Sequence, residues 1–380
     1  MAKLGEVFTI ASGGTPDKKK PFYYENGTIP WVKTGDLKTQ YVPTGIDCIT
    51  EEGLNNSPAK LFPPNTVLVA MYGATIGACS ILSYEAATNQ ACAAFLPNEN
   101  VLPTYLYYFL LSKRDKFVKD GVGGAQPNIS AGYLKNVQFD LVPVRQQEVI
   151  VERLDKIENL IALRKEQLAK LDELVKDRFV EMFGGADYPT VLFENICVFL
   201  RNGASIKQTK GAGGYPITRI ETLSNDVFNI DRLGYADITD LEKYQSYVLH
   251  NGDVLISHIN SVAYLGRAVQ YRGQLDTPII HGMNLLCARI SDSYNPTYIE
   301  WFFKTPMAKE YISTITKKAV NQASITTSDL KKMQVPNPPK NLQDQFATFV
   351  EQTDKSKLAI QQSLDKLETL KKALMQEYFG

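Results

Sequence analysis

Two long segments of the chain carry the hydrophobic periodicity of packed α-helices. Residues 146–183 contain no proline or glycine, and their apolar positions recur at intervals of three and four residues, which is the a/d pattern of a coiled coil. A helix of this length extends about 57 Å and is too long for one small domain to enclose. Its apolar stripe consists of Ile150, Leu154, Ile157, Ile161, Leu168, Leu171, Val175 and Met182.

A second apolar stripe, interrupted by Thr353, Lys357 and Lys371, runs through the last segment of the chain, residues 346–378. The first helix leads from one globular region to the next, and the second helix starts from that next region. The second helix must therefore run antiparallel to the first in order to cover its stripe, and we expect one globular domain at each end, with both chain termini near the first. The alternative, in which each helix packs only on its own domain, would expose much apolar surface. The second stripe consists of Phe346, Val350, Ile360, Leu364, Leu367, Leu374 and Tyr378.

The sequence also repeats itself at about half its length. Residues 126–138 (Q-P-N-I-S-A-G-Y-L-K-N-V-Q) return as residues 322–334 (Q-A-S-I-T-T-S-D-L-K-K-M-Q). A repeat this long is a whole domain with its helix. The predicted fold is α+β, with two similar globular α/β-mixed domains separated by a long antiparallel two-helix coiled coil in a pseudo-two-fold internal repeat. The predicted boundaries are 1–145 for the first domain, 146–185 for the central helix, 186–341 for the second domain and 342–380 for the last helix.

Each predicted domain combines short β-rich runs, such as residues 67–71 and 253–257, with an aromatic-rich helix. We expect these helices to begin at Pro103 and Pro296. Proline lacks a backbone N–H, and the N–H groups of the first helical turn have no partner within the helix. We assign their aromatic faces to the core in preference to base stacking.

Composition limits the possible functions. The chain has 380 residues and 44% hydrophobic content, enough for more than one core. No apolar run of 18 residues and no signal-peptide pattern occurs, so we expect a cytoplasmic protein without membrane contact. The five cysteines share no C-x-x-C spacing and are expected to be free thiols. With 41 basic and 41 acidic residues the net charge is zero, so binding to nucleic acid would depend on local patches or on partners.

A search for catalytic groups is negative. No G-x-x-x-x-G-K-[ST] sequence occurs, so ATP binding is unsupported. The three histidines, His250, His258 and His281, lack the spacing of metal ligands. Residues 337–340 (N-P-P-K) have lysine where the N-P-P motif of amino-methyltransferases has an aromatic residue, and we interpret them as a linker. We expect no catalytic residue, no metal site and no cofactor on this chain.

Two related domains held apart by a rigid helix pair suggest a double-stranded DNA reader. Inverted domains would address two half-sites about 34 Å apart, or one helical turn. The loops at residues 72–77 and 258–266 occupy equivalent positions but differ in chemistry, so the half-sites would differ as well. Ser130 and Thr326 have two open interpretations, contact with DNA or capping of the helix that follows. The candidate DNA contacts are Lys18, Lys19, Lys20, Lys33, Thr34, Tyr72, Thr75, Gln126, Asn128, Lys210, Arg219, His258, Asn260, Gln322 and Ser324.

Several segments together resemble the specificity subunit of Type I restriction-modification systems. They are residues 29–37 (I-P-W-V-K-T-G-D-L), 215–223 (Y-P-I-T-R-I-E-T-L) and 124–130 (G-A-Q-P-N-I-S), and the Q-Q-E at 146–148 that opens the first long helix. Each motif alone is loose, but the arrangement covers nearly the whole chain. The family's G-D-V sequence is present at residues 252–254, whereas the first domain has N-T-V.

The resemblance implies two target recognition domains that read a split, asymmetric DNA sequence. It also implies that the helices dock two methyltransferase subunits and that a separate motor and nuclease subunit completes the enzyme. S-adenosylmethionine, ATP and Mg²⁺ would then bind to those partners. The candidate partner-binding positions on the helices are Leu154, Ile157, Ile161, Leu168, Leu171, Val175, Val350, Ile360, Leu364, Leu367 and Leu374.

Two other functions stay open from the sequence. One is a protein-interaction scaffold that does not bind DNA, whose binding would be insensitive to salt. The other is the recognition subunit of a related system in which methylation and cleavage share one polypeptide, which the neighbouring coding sequence would reveal.

Overall fold

The computed structural model describes residues 1–123, 127–185, 187–209, 213–319 and 322–380. It divides into two compact units: unit 1 comprises Met1–Glu166 and Gln361–Gly380, and unit 2 comprises Gln167–Ile360. Each unit therefore contains a globular part together with a portion of both long helices. None of the helices in these described ranges is long and apolar enough to cross a membrane.

Unit 1 is built around two four-stranded sheets. In strand order, one consists of Ile10–Ser12, Cys92–Phe95, Val67–Ala70 and Cys79–Ile81, and the other of Cys48–Ile49, Ile29–Val32, Ala86–Thr88 and Leu61–Phe62. The central strand Val67–Ala70 (V-L-V-A) is buried at every position, as expected for a strand covered on both faces. The strands are β1 (Ala2–Lys3), β2 (Ile10–Ser12), β3 (Ile29–Val32), β4 (Cys48–Ile49), β5 (Leu61–Phe62), β6 (Val67–Ala70), β7 (Cys79–Ile81), β8 (Ala86–Thr88), β9 (Cys92–Phe95) and β10 (Gln138–Phe139). The helices are α1 (Leu4–Val7), α2 (Glu51–Asn55), α3 (Pro103–Ser112), α4 (Arg114–Asp120), α5 (Ala131–Lys135) and the start of α6 (Val144–Phe183).

Unit 2 repeats the central sheet in the order β12-β21-β18-β20, which confirms the predicted duplication of an α+β domain. Its strands are β11 (Thr190–Leu192), β12 (Cys197–Asn202), β13 (Gln208–Thr209), β14 (Tyr215–Ile217), β15 (Leu223–Ser224), β16 (Val227–Phe228), β17 (Gly234–Ala236), β18 (Val254–Ser257), β19 (Ile259–Asn260), β20 (Ala268–Gln270), β21 (Leu285–Ile290), β22 (Lys317–Lys318), β23 (Ala323–Ser324) and β24 (Gln334–Pro336). Its helices are α7 (Phe193–Ile196), α8 (Pro296–Phe302), α9 (Pro306–Ile315), α10 (Thr327–Lys331) and the start of α11 (Lys340–Phe379).

The aromatic helices lie in the cores of their units, as predicted. Tyr105 and Tyr108 on α3 are at most 1% exposed, and Tyr298 and Phe302 on α8 are at most 2% exposed. In unit 1, Tyr105 packs against Phe379 of α11 with ring centroids 5.3 Å apart. The last turn of α11 therefore completes the core of unit 1.

Within unit 1 the two long helices are antiparallel. Arg153 donates a hydrogen bond to the Tyr378 hydroxyl (2.9 Å), and further along α6 Glu158 forms an ion pair with Lys371. Positions on α11 thus decrease as positions on α6 increase. Lys371, which interrupts the apolar stripe of α11, is accommodated because a carboxylate of α6 faces it.

The long helices of unit 2 have the same orientation. Phe179 of α6 packs edge-to-face on Phe346 of α11, with centroids 5.2 Å apart, whereas Asp172 lies 2.5 Å from the ammonium group of Lys357. The second lysine that interrupts the stripe is again matched by an acid on the facing helix. The predicted antiparallel pairing is therefore confirmed inside each unit.

A buried glutamine joins each long helix to the globular part of its unit. Gln147 is fully buried; it accepts a hydrogen bond from the Leu102 N–H (2.9 Å) and donates to the carbonyls of Asn100 and Val142. Gln343 repeats the arrangement: it accepts from the Asn295 N–H (2.9 Å) and donates to the carbonyl of Pro338 (2.8 Å), two residues before α11. Each amide thus bonds to backbone groups just before an aromatic helix and just before its own long helix.

Candidate nucleic-acid interface

The loop that follows the central strand of unit 1 pairs with the loop of the predicted glutamine motif. The backbones of Tyr72 and Asn128 form an antiparallel bridge, and the Gly73 N–H donates to the carbonyl of Pro127 (2.9 Å). Both Tyr72 and Asn128 are exposed. Two candidate residues 56 positions apart in sequence are thus brought together on one surface.

Unit 2 has the equivalent backbone pairing. Strand β19 pairs with β23, which places Ile259 opposite Ser324, as Tyr72 lies opposite Asn128, and places Asn260 opposite Ala323. Strand β22 pairs with the other edge of β23, so Lys317 faces Ser324. Gln322 precedes this strand and is exposed. In both units, therefore, the candidate residues lie on a small antiparallel arrangement beside the central strand.

Glycines in the left-handed region shape these loops. Gly73 and Gly77 in unit 1 and Gly266 in unit 2 have φ near +70°, where a side chain is strained. A Cβ on Gly266 would also lie 2.1 Å from the side chain of Ile312. The turn after the central strand is therefore fixed by backbone geometry, and its side chains are presented from a defined position. Thr75 supports this turn in unit 1 through a hydrogen bond to the Tyr72 carbonyl (3.1 Å).

Ser130 and Thr326 cap short helices. The Ser130 hydroxyl accepts a hydrogen bond from the Tyr133 N–H (3.0 Å), and the Thr326 hydroxyl accepts one from the Asp329 N–H (3.1 Å). Of the two interpretations left open by the sequence, capping is the one the structure confirms.

The predicted basic residues have different surroundings. Lys18, Lys19 and Lys20 are exposed before a 3-10 turn, and Lys20 donates to the Tyr23 hydroxyl (3.1 Å). Lys33 forms an ion pair with Asp47, which raises the pKa of the lysine. Thr34, which follows it, begins a 3-10 turn and is half-buried.

The unit 2 counterpart of Lys33 is Arg219. Its side chain is exposed, while its N–H donates to the Thr222 hydroxyl (2.9 Å). Gln126 and Lys210 lie outside the described residues.

His258 occupies a buried position that the sequence did not indicate. It is 5% exposed, burial lowers its pKa, and its Nδ1 has no hydrogen-bond partner within the described residues. A buried imidazole is not accessible to a DNA base in this conformation. The burial therefore argues against the direct DNA contact we expected of this residue, although its carbonyl accepts the Ile325 N–H (2.9 Å) and so helps to join the two loops.

The apolar stripe proposed for partner binding is used inside the units. Leu154, Ile157, Ile161, Val175, Val350 and Leu364 are at most 7% exposed, and Leu168, Leu171, Ile360, Leu367 and Leu374 are half-buried. Other apolar residues of the helices remain open to solvent, and sequence reasoning missed them because they fall outside the a/d spacing. They are Val149, Leu160, Leu163, Leu174, Val180, Leu358 and Leu370, each at least 43% exposed.

The acid of the G-D-V sequence has a structural partner. Asp253 is 1% exposed and receives two hydrogen bonds from the Arg289 guanidinium, each 2.8 Å, together with one from the His250 N–H (2.8 Å). At the equivalent place in unit 1, the buried Thr66 hydroxyl donates to the Pro63 carbonyl (2.8 Å). The ion pair supports the strand entrance of unit 2 only.

Side chains that could bind a metal ion do not cluster in the part of the chain that the structure covers. No cluster of three or more His, Cys, Asp or Glu side chains there could hold a metal ion. Cys79 and Cys197 are free thiols whose pKa burial raises to about 12, which makes them poor nucleophiles.

Comparison with known proteins agrees with this architecture. The family model described as "Type I restriction modification DNA specificity domain" matches residues 1–173 and 190–371. The chain is 36% identical to the MjaX specificity subunit of Methanocaldococcus jannaschii over 194 residues, or 51% of this chain and 45% of that protein. It is 22% identical to the EcoKI specificity subunit of Escherichia coli K12 over 93% of this chain and 81% of that protein. In the MjaX alignment the chain thus spans about half the length of its relative.

Solved structures share the fold over the full chain. A chain from a structure on the assembly and conformational transition of the type I R-M system superposes with a TM-score of 0.64 at 18% identity, covering 100% of this chain and 96% of that one. The type I restriction-modification S subunit from M. genitalium gives a TM-score of 0.56 at 14% identity, with 100% and 95% covered. At these identities the likeness establishes the fold.

Proposed function

This chain belongs to the type I restriction-modification DNA specificity family, and we propose that it is the DNA-recognition subunit of such a complex, with each unit reading one half of a bipartite, asymmetric target. The observation that carries the proposal is the duplicated recognition surface. The same backbone arrangement pairs Tyr72 with Asn128 in unit 1 and Ile259 with Ser324 in unit 2. Equal scaffolds with unequal side chains suit two half-sites of different sequence, because base edges are read by side-chain hydrogen bonds.

Electrostatics support a role within a larger complex. The chain carries no net charge, whereas tight DNA binding depends on neutralising phosphates. Methyltransferase subunits bound beside it would supply that positive charge, and this chain would contribute local contacts from residues such as Lys18 and Lys19. Binding of DNA to the chain alone is then weak and steeply salt-dependent.

The long helices are the proposed docking elements for two methyltransferase subunits. Their buried stripe holds each unit together, so the available surface is the set of exposed apolar residues. Leu160 and Leu163 in unit 1, and Leu174 and Leu358 in unit 2, are 43–61% exposed. Exposed leucines on charged helices are typical of interface positions. Methyl transfer and DNA cleavage, with S-adenosylmethionine, ATP and Mg²⁺, belong in this proposal to partner subunits.

Exchange of one unit's globular part tests the bipartite proposal. Residues 1–145 are replaced by the corresponding segment of another family member, and methylated adenines are mapped across the genome of cells that also express the methyltransferase. We expect one half of the methylated sequence to change completely while the other half is retained. Mapping the unaltered chain, and cells without it, provides the control. Methylation that is independent of this chain, or an exchange that alters both halves, would contradict the proposal.

A further inference from the structure

A cavity of about 540 Å³ opens beside the recognition loop of unit 2. One wall comes from residues 220–232, which follow the Y-P-I-T-R-I-E-T-L segment, and the other from Asn260, Tyr264 and Arg267 after the central strand. This volume is in the range of a small-molecule site, but its mouth lies on the surface proposed to meet DNA.

The first of these walls contains a β-hairpin with a two-residue turn. Strands β15 and β16 pair across Asn225 and Asp226, which have φ of +52° and +58°. Positive φ at both central residues is the requirement of a type I′ turn, and Asn and Asp tolerate it. Sequence reasoning missed this turn, although an Asn-Asp pair between two short apolar runs was the signal for it.

Arg267 ties this hairpin to the recognition loop. Its Nε lies 3.0 Å from the Asp226 carboxylate, a terminal nitrogen donates to the Leu223 carbonyl (3.1 Å), and the guanidinium lies 4.7 Å from the ring centroid of Tyr264. All these contacts are internal to unit 2. Arg267 is therefore a positioning residue, and its charge is already neutralised.

Arg232, unlike Arg267, has a side chain that makes no contact of this kind with the described residues of unit 2. Its backbone is fixed at the end of a 3-10 turn, where its carbonyl accepts a hydrogen bond from Thr222 (3.3 Å). Its side chain is exposed on the cavity wall, and within the described residues its guanidinium forms no hydrogen bond or ion pair. A fixed backbone with an unengaged guanidinium is suited to recognition of an external acceptor pair.

The surrounding charges favour a base edge over a phosphate. The cavity is lined by Glu221 and by the amide-bearing residues Asn225, Asn229 and Asn260. Carboxylates repel phosphate, whereas amides hydrogen-bond to base edges. The amide of Asn229 is held in place, since it accepts the Asp231 N–H (3.0 Å).

We propose that this cavity is the base-reading site of unit 2, and that Arg232 recognises a guanine in its half-site through the O6 and N7 acceptors. Arginine bound to guanine by two hydrogen bonds is the commonest specific contact in the major groove. The inference rests on the proposed function, because it assigns residues to the half-site that unit 2 would read.

The test is a methylation map of Arg232→Ala and Arg232→Lys in the intact chain, expressed with its methyltransferase. We expect Arg232→Ala to relax one base position in a single half-site by about tenfold or more, from guanine to any base, with the other half-site unchanged. Arg232→Lys should relax the same position, because lysine keeps the charge but loses the two-pronged geometry. Lys243→Ala, exposed on unit 2 outside the cavity, should leave the map unchanged.

The outcomes separate this inference from the proposed function. If the unaltered chain directs no methylation, the proposed function fails. If the unaltered chain directs methylation but both Arg232 variants keep its target, the assignment of Arg232 is wrong. A loss that is uniform across sequences and is rescued by lysine would identify a phosphate contact and overturn base reading. Because the unaffected half-site reports on folding in the same map, a misfolded variant is recognised directly.

Discussion

In unit 1 the residue before the central strand is Thr66, whereas in unit 2 it is Asp253. The pairing of Val67 with Phe95 and of Val254 with Ala288 makes Leu96 the counterpart of Arg289. Unit 2 therefore has a carboxylate–guanidinium pair where unit 1 has a hydroxyl and a leucine. The same sheet is supported by two different chemistries.

The backbone is preserved where the side chains differ. Asn65 and Gly252, each directly before these residues, have φ of +67° and +96°, so both chains turn into the strand in the left-handed region. Thr88 and His281 are likewise equivalent, because their carbonyls accept the N–H groups of Gly14 and Ala204. The comparison teaches that strand geometry and apolar burial define this scaffold, while buried polar groups vary within it.

Breaking the ion pair should show the largest difference between the units. We expect Asp253→Ala to lower the free energy of unfolding of unit 2 by about 3 kcal/mol, because the partly buried Arg289 loses its partner. The matched change Thr66→Val removes one hydrogen bond and should cost unit 1 about 1 kcal/mol. Hydrogen exchange of the β18 and β6 amides in the same sample reports on each unit separately. Equal losses in the two units would contradict this account.

Replacing the buried glutamines should show how alike the units are. Gln147→Leu and Gln343→Leu each leave buried backbone groups without partners, and we expect a loss of about 2 kcal/mol in the corresponding unit. Gln146 is exposed on the same turn as Gln147, so Gln146→Leu is the control and should change stability by less than about 0.5 kcal/mol. Urea unfolding monitored by hydrogen exchange is the measurement. A large effect in one unit only would show that the two joints are not equivalent.

Lowering the pH should produce a smaller difference in stability between the two units. Burial lowers the pKa of His281 to about 4, and also lowers that of His258, whereas unit 1 has threonine at the position of His281. The unfolded chain binds a proton near pH 6.5 and folded unit 2 does not, so the stability of unit 2 is full above about pH 6.5 and falls as the pH decreases towards about 4. Between pH 7 and 5.5 the loss through His281 is about 1.2 kcal/mol. Exchange rates in β18 and β6 measured across this range, with His281→Thr as control, test the expectation; parallel pH profiles in the two units would contradict it.

The sequence predicted the features that depend on local periodicity. The stripes of α6 and α11 were readable because a/d spacing over ten turns is a strong signal, and the repeat at residues 126–138 and 322–334 predicted the duplication. The facing pairs Lys357–Asp172 and Lys371–Glu158 were not readable, since the polar interruptions gain meaning only once the register of the two helices is known.

The candidate site was harder to predict because it depends on contacts distant in sequence. Two-residue strands such as β19 and β23 have too few positions to show alternation. The proximity of Asn260 and Ser324 follows from the folded topology alone. Burial of His258 likewise cannot be predicted from a loop sequence. The exposed apolar residues of the helices were not predicted because they lie outside the a/d spacing, which identifies only the buried face.

The packing of Phe379 has a consequence for how the protein is made. Its ring lies against Tyr105 and Phe109, with centroids 5.3 and 6.0 Å away, so the core of unit 1 is closed by a residue that the ribosome adds 270 or more positions later. The first globular part to be synthesised must wait, with part of its aromatic surface uncovered, until unit 2 has been translated. A nascent chain that ends at residue 360 contains all of unit 2 but lacks residues 361–380 of unit 1. Unit 2 can therefore be completed before unit 1, although unit 1 is the first to be translated.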